Sequence, residues 1–226
     1  MLRFVYRFLH KDGHESRFEV ALDPETLMHA LPEGEPPAWT ALGNKQCPNC
    51  PLKEASHPHC PVARNLAPVI SAFKDSLSYE EVEVIIATPQ REFRKKVPLQ
   101  SGVSALFGLV MVTSGCPILD RLRPMVYTHL PFATVQETFV RAISTYLLGQ
   151  YLALRRGEAP DWELKGLVRA YEEINVVNEA FVARLRSVTA NDATWNAIVT
   201  LDCFSKIASF SILGRPIAEV ERVFHP

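Results

Sequence analysis

The dominant hydrophobic period of this chain changes at Pro98, and that change constrains the fold more than any other feature. Before it, apolar residues recur mostly every second position. Leu2, Phe4, Tyr6 and Phe8 alternate with Arg3, Val5 and Arg7, and Phe18, Val20 and Leu22 alternate with Arg17, Glu19 and Ala21. Asp12-Gly13 stands between the two runs, so residues 2–9 and 15–22 are predicted to form a β-hairpin. Val82, Val84 and Ile86, then Phe93, Lys95 and Val97 beyond Pro89-Gln90, predict a second hairpin. Between them Val62, Leu66, Val69, Ile70 and Phe73 fall at helical spacing behind Pro61, which suits a first helical turn.

After Pro98 almost everything has the 3.6-residue period. Helices are expected over 99–114, stopped by Gly115, and over a short stretch from Cys116-Pro117 to Tyr127. Thr134 and Glu137 have the spacing of a capping box and open a long helix to Arg156, stopped by Gly157. Two more are expected, Asp161–Ala190 and one capped by Asn191 or Asp192 that runs to Leu213, with a possible turn in 216–226. The predicted class is therefore α+β. An N-terminal antiparallel four-stranded sheet with one covering helix (1–98) precedes a C-terminal helical bundle (99–226), and the absence of a flexible linker suggests one shared core.

Cysteine is the informative residue. Four of the five precede proline: Cys47-Pro48, Cys50-Pro51, Cys60-Pro61 and Cys116-Pro117. The first three lie in or at the end of a proline-rich loop over 23–60, which has too many backbone breakers for a long regular element. Cys47-x-x-Cys50 folds two sulfurs to the same side, as in one half of a zinc knuckle. Cys60 and Cys116 each stand before a proline at a predicted helix start, where the helix dipole favours thiolate. Cys47, Cys50, Cys60 and Cys116 are thus the predicted ligands of one metal centre, Zn²⁺ as first choice and an iron–sulfur cluster as second. Cys203, on an apolar helix, is expected to be a buried small hydrophobe.

Other polar residues carry weaker signals. His57 and His59 flank Cys60 and could replace a sulfur, whereas His129 is expected to be a loop histidine capping the helix before it. Glu54-x-x-His57 has di-iron ligand spacing but lacks a second copy. Glu137 and Arg141 are spaced for a surface ion pair. Asn178, within an apolar stripe, needs a partner such as Asn196 or Asp202, and Gly108 and Gly149 suggest close helix–helix approach.

Composition removes several function classes. With 24 Lys+Arg against 25 Asp+Glu and a formal net charge of −1, the chain has no global field to collect nucleic acid or anionic lipid. Met1–Arg7 lacks a signal-peptide core, and the apolar run Val103–Val112 is about half the ~20 residues of a membrane span, so a cytoplasmic setting is expected. There is no G-x-G-x-x-G, P-loop, H-E-x-x-H or G-x-S-x-G, Leu106 standing where the last motif after Gly102 and Ser104 needs glycine. No reaction or catalytic residue is indicated. The competing reading is a metal-free interaction or small-ligand-binding module that uses the helical bundle.

Overall fold

The computed structural model describes residues 2–188, 192–211 and 221–222. Strands β1 (Leu2–Leu9) and β2 (Glu15–Leu22) pair antiparallel with Leu2 opposite Leu22 and Leu9 opposite Glu15. Gly13, at φ +86°, takes the left-handed position at the tip. The alternation has the expected consequence. Phe4, Tyr6 and Phe8 are buried, while Arg3 and Arg7 lie on the other face and pair with Glu19 and Glu15.

A second hairpin, β3 (Glu81–Ala87) and β4 (Glu92–Pro98), adds to the free edge of β1, with Tyr6 opposite Ile86. The sheet order is β2-β1-β3-β4, antiparallel throughout. The outer strand β4 exposes Arg94, Lys95 and Lys96, charges that discourage another chain from pairing with the open edge.

Two helices bear on the buried side of the sheet. In α1 (Pro61–Phe73) the stripe ends at Phe73, whose ring lies 5.0 Å from Phe8 and 5.5 Å from Phe18. Helix α2 (Leu99–Thr113) follows β4 directly and meets the sheet at Gly102. A Cβ added there would stand 2.7 Å from Val84 Cγ2 and 2.8 Å from Phe8 Cε1. The glycines expected at close contacts behave differently: a Cβ on Gly108 would meet Leu201 at an ordinary 3.7 Å, and one on Gly149 would meet nothing within 4 Å.

Gly115, at φ +90°, ends α2 as expected, but the next segment is a 3₁₀ helix over Leu119–Thr128 containing Pro124. Helix α3 (Val135–Arg155) opens with both halves of the capping box: Glu137 N–H donates to Thr134 Oγ1 at 3.2 Å, and Thr134 N–H to Glu137 Oε2 at 2.7 Å. That use of Glu137 removes the predicted ion pair with Arg141, whose Nη2 donates instead to Met125 O at 3.3 Å.

Helix α4 spans Lys165–Leu185, starting one turn later than Asp161. The Asp161 carboxylate is occupied by Gly166 N–H at 2.7 Å and Tyr146 Oη at 2.9 Å, and Leu164 at φ +59° interrupts the helical path. Helix α5 spans Ala193–Ser211. The Asn191 cap, the end of that helix at Leu213, the tail turn and the side chain of Cys203 lie outside the described residues. One hydrophobic cluster runs from Phe4 and Val84 in the sheet through Leu106 to Phe181 and Ile198. No described helix is long and apolar enough to cross a membrane.

Candidate thiolate centre

The four Cys-Pro cysteines sit on three pieces of chain that hydrogen bonds tie together. Cys50 N–H donates to Cys47 O at 3.0 Å, closing the C-x-x-C turn, and Asn49 Nδ2 holds that turn to Glu173 O of α4 at 2.9 Å. Residues 40–42 and 58–60 run alongside each other: Cys60 N–H donates to Thr40 O at 2.8 Å and Leu42 N–H to Pro58 O at 2.9 Å. Thr40 is fully buried, its hydroxyl 2.8 Å from His59 Nδ1 and donating to Pro37 O at 2.7 Å.

Cys60 is the residue capping α1, with Pro61 in the first turn as expected. The backbone N–H groups of Val62 and Ala63 favour its thiolate, although its side chain makes no capping hydrogen bond. Ile118 and Leu119 N–H act on Cys116 in the same sense. The buried Asn65 links the two corners, since its Nδ2 donates to Pro61 O at 2.8 Å and to Ser114 O at 3.4 Å.

The helix-start positions do not lower the thiol pKa values overall, contrary to the dipole expectation. Burial raises Cys60 and Cys116 above the ordinary thiol range, outweighing the backbone N–H groups that favour thiolate. Cys47 is pushed up to about 12 by burial, with further increments from the charges of Cys60, Cys116 and Cys50. Cys47 thus feels all three other sulfurs. All four thiols are free and half-buried. No three or more His, Cys, Asp or Glu side chains among the described residues stand in a ready-made metal shell.

Between these segments lies a group that sequence reading missed. Arg184 of α4 is 2% exposed, and its guanidinium donates to Trp39 O at 3.2 Å, Ala41 O at 2.8 Å and Leu42 O at 3.2 Å. Its charge opposes the rise in both Cys47 and Cys60. No carboxylate among the described residues pairs with it. The signal available in sequence was its spacing: Arg184 falls three residues after Phe181 and seven after Val177, on the apolar face of α4.

His57 is exposed beside Ser56, and His59 is held by Thr40. His129 caps the preceding segment through its backbone N–H, which donates to Val126 O at 3.1 Å, but its side chain does not. It turns to β1, with Nε2 2.7 Å from Tyr6 Oη and its ring edge-on to Phe4 at 5.2 Å.

A model of the family described as "Domain of unknown function (DUF6901)" matches residues 4–225. No curated protein and no solved structure matches the chain.

Proposed function

The chain belongs to the DUF6901 family of domains of unknown function, and from its own residues we propose a metal-binding protein in which Cys47, Cys50, Cys60 and Cys116 hold one centre. The observation that carries this reading is the buried Arg184 guanidinium, set against Cys47 and Cys60 without a carboxylate among the described residues. A buried cation is costly unless an anion answers it. Four thiolates around Zn²⁺ carry a net charge of about −2, which would supply that anion in a poorly hydrated place. The segments that carry the cysteines are held in place by Asn65 and Asn49, and the loop before them by Arg184.

A tetrahedral four-sulfur site is closed and leaves no position for substrate, so its role is structural. It fastens the loop before α1 to the turn after α2. The test is to purify the protein without oxygen and assay zinc, iron and sulfide. Stoichiometric zinc in a colourless sample is the expected result. Iron and sulfide with broad absorbance near about 400 nm would make the centre an iron–sulfur cluster, and absence of both metals would overturn the proposal.

A further inference from the structure

A cavity of about 860 Å³ lies between α2, the 3₁₀ segment, the start of α3 and the facing sides of α4 and α5. Leu109, Val112, Leu122, Met125, Ile174 and Val199 give it apolar walls. Its charged lining is one-sided: Arg141 and Lys95 border it, with no Asp or Glu among the described lining residues. Lys95 is exposed and stands over the Phe132 ring at 5.7 Å, at the rim.

Arg141 is the unusual member. Its Nε is buried and has no hydrogen-bond partner among the described residues, while Nη2 makes only a long 3.3 Å bond to Met125 O. Glu137, one turn earlier, is the nearest acid on the same helix, but its carboxylate caps α3. Burial keeps the neighbouring Tyr171 a neutral phenol, and His129 is held neutral by burial and by the Arg141 charge itself. The guanidinium therefore borders apolar walls and neutral polar groups, with the Glu137 carboxylate acting on it from beyond ion-pair distance and its buried Nε–H without a hydrogen-bond partner among the described residues.

We propose that this cavity binds an apolar monocarboxylate, with its hydrocarbon body against the α2 and 3₁₀-segment walls and its carboxylate on Arg141. A planar guanidinium fork matches a carboxylate, and one half-buried cation balances one negative charge where a phosphate ester would need more donors. The volume falls in the range of sites that enclose small apolar ligands. This site is separate from the cysteine centre and does not depend on it.

Calorimetric titration of the full chain with dodecanoate and with 1-dodecanol separates head-group recognition from hydrophobic uptake. Saturable binding of the acid, at least about tenfold tighter than the alcohol, is expected. Arg141→Gln should abolish that preference, and Arg141→Lys should keep part of it. Equal binding of acid and alcohol by the unaltered protein would overturn the proposal, as would binding of neither. An acid preference that survives in Arg141→Gln would also overturn it.

Discussion

The Tyr6 hydroxyl stands 2.7 Å from His129 Nε2, so the middle of the first strand is hydrogen-bonded to the loop that leads into α3. Tyr6 is fully buried, its hydroxyl also donates to Ala105 O at 3.3 Å, and His129 is a neutral imidazole. Tyr6→Phe keeps the ring and leaves the imidazole nitrogen and Ala105 O without that partner. It should lower stability by about 1–2 kcal/mol in urea denaturation at neutral pH; an unchanged midpoint would show that the contact contributes nothing.

The same burial makes the fold sensitive to mild acid. His129 is lowered from 6.5 to about 3, mainly by burial and then by the Arg141 charge, and His29 and His10 are also lowered by burial. Unfolded chains take up these protons near pH 6.5 while the fold resists them. The stabilising contribution is therefore complete above about pH 6.5 and is lost as the pH falls towards the folded values. Carboxylates such as Glu83 and Glu137, lowered from 4.5, add to acid lability only further down. Stability should fall between about pH 6.5 and 4.5, with His129 contributing at most about 1.4 kcal/mol per pH unit. His129→Gln should flatten that part of the profile in thermal melts, and an equally steep profile would assign the sensitivity elsewhere.

Removal of one proposed ligand tests the proposed staple. If the four cysteines hold one centre, Cys116→Ser should lose most of the bound metal and lower the melting temperature, because the turn after α2 would no longer be tied to the loop before α1. Metal content measured after desalting, together with the melt, checks this. Full metal occupancy in the variant would exclude Cys116 from the centre.

Arg184 donates to the loop carbonyls and, in the proposed centre, also answers the negative charge of the cysteine sulfurs. Arg184→Met fills similar space but leaves the carbonyls of Trp39, Ala41 and Leu42 without their donor. A loss of about 3 kcal/mol is expected from denaturant unfolding. Metal retention should fall as well, since the buried positive charge is gone. A variant as stable and as metal-loaded as the parent would contradict both roles.

Two helical glycines should respond in opposite directions. Gly102→Ala places a methyl 2.7 Å from Val84 and 2.8 Å from Phe8, at the join of α2 and the sheet, and should cost about 1–3 kcal/mol. Gly149→Ala, with open space around it on α3, should stabilise by about 0.5–1 kcal/mol. Paired melts of the two variants check the assignment, and the same sign for both would mean the helix–sheet contact is looser than its geometry.

Local order was legible because it depends on residues close together in the chain. Alternation in β1 decides which side chains share a face, and the Thr134–Glu137 box and Pro61 settle helix starts through contacts within one turn. Gly115 and Gly157, both at positive φ, stop helices through their own backbone freedom. The Cys-Pro repeats likewise marked four sulfurs as one candidate set.

What remained hidden depends on atoms distant in sequence. The sheet order follows from β1 accepting β3, and the delayed start of α4 follows from Tyr146 and Gly166 sharing the Asp161 carboxylate. The thiols of Cys47, Cys60 and Cys116 rise because surrounding chain excludes water, overriding the helix-start effect that neighbouring residues suggest. Arg184 becomes a buried cation, and Arg141 a half-buried cation beside an apolar cavity, only through tertiary packing. Pattern and caps are properties of the chain over a few residues; hydration and charge compensation are properties of the volume into which the whole chain packs.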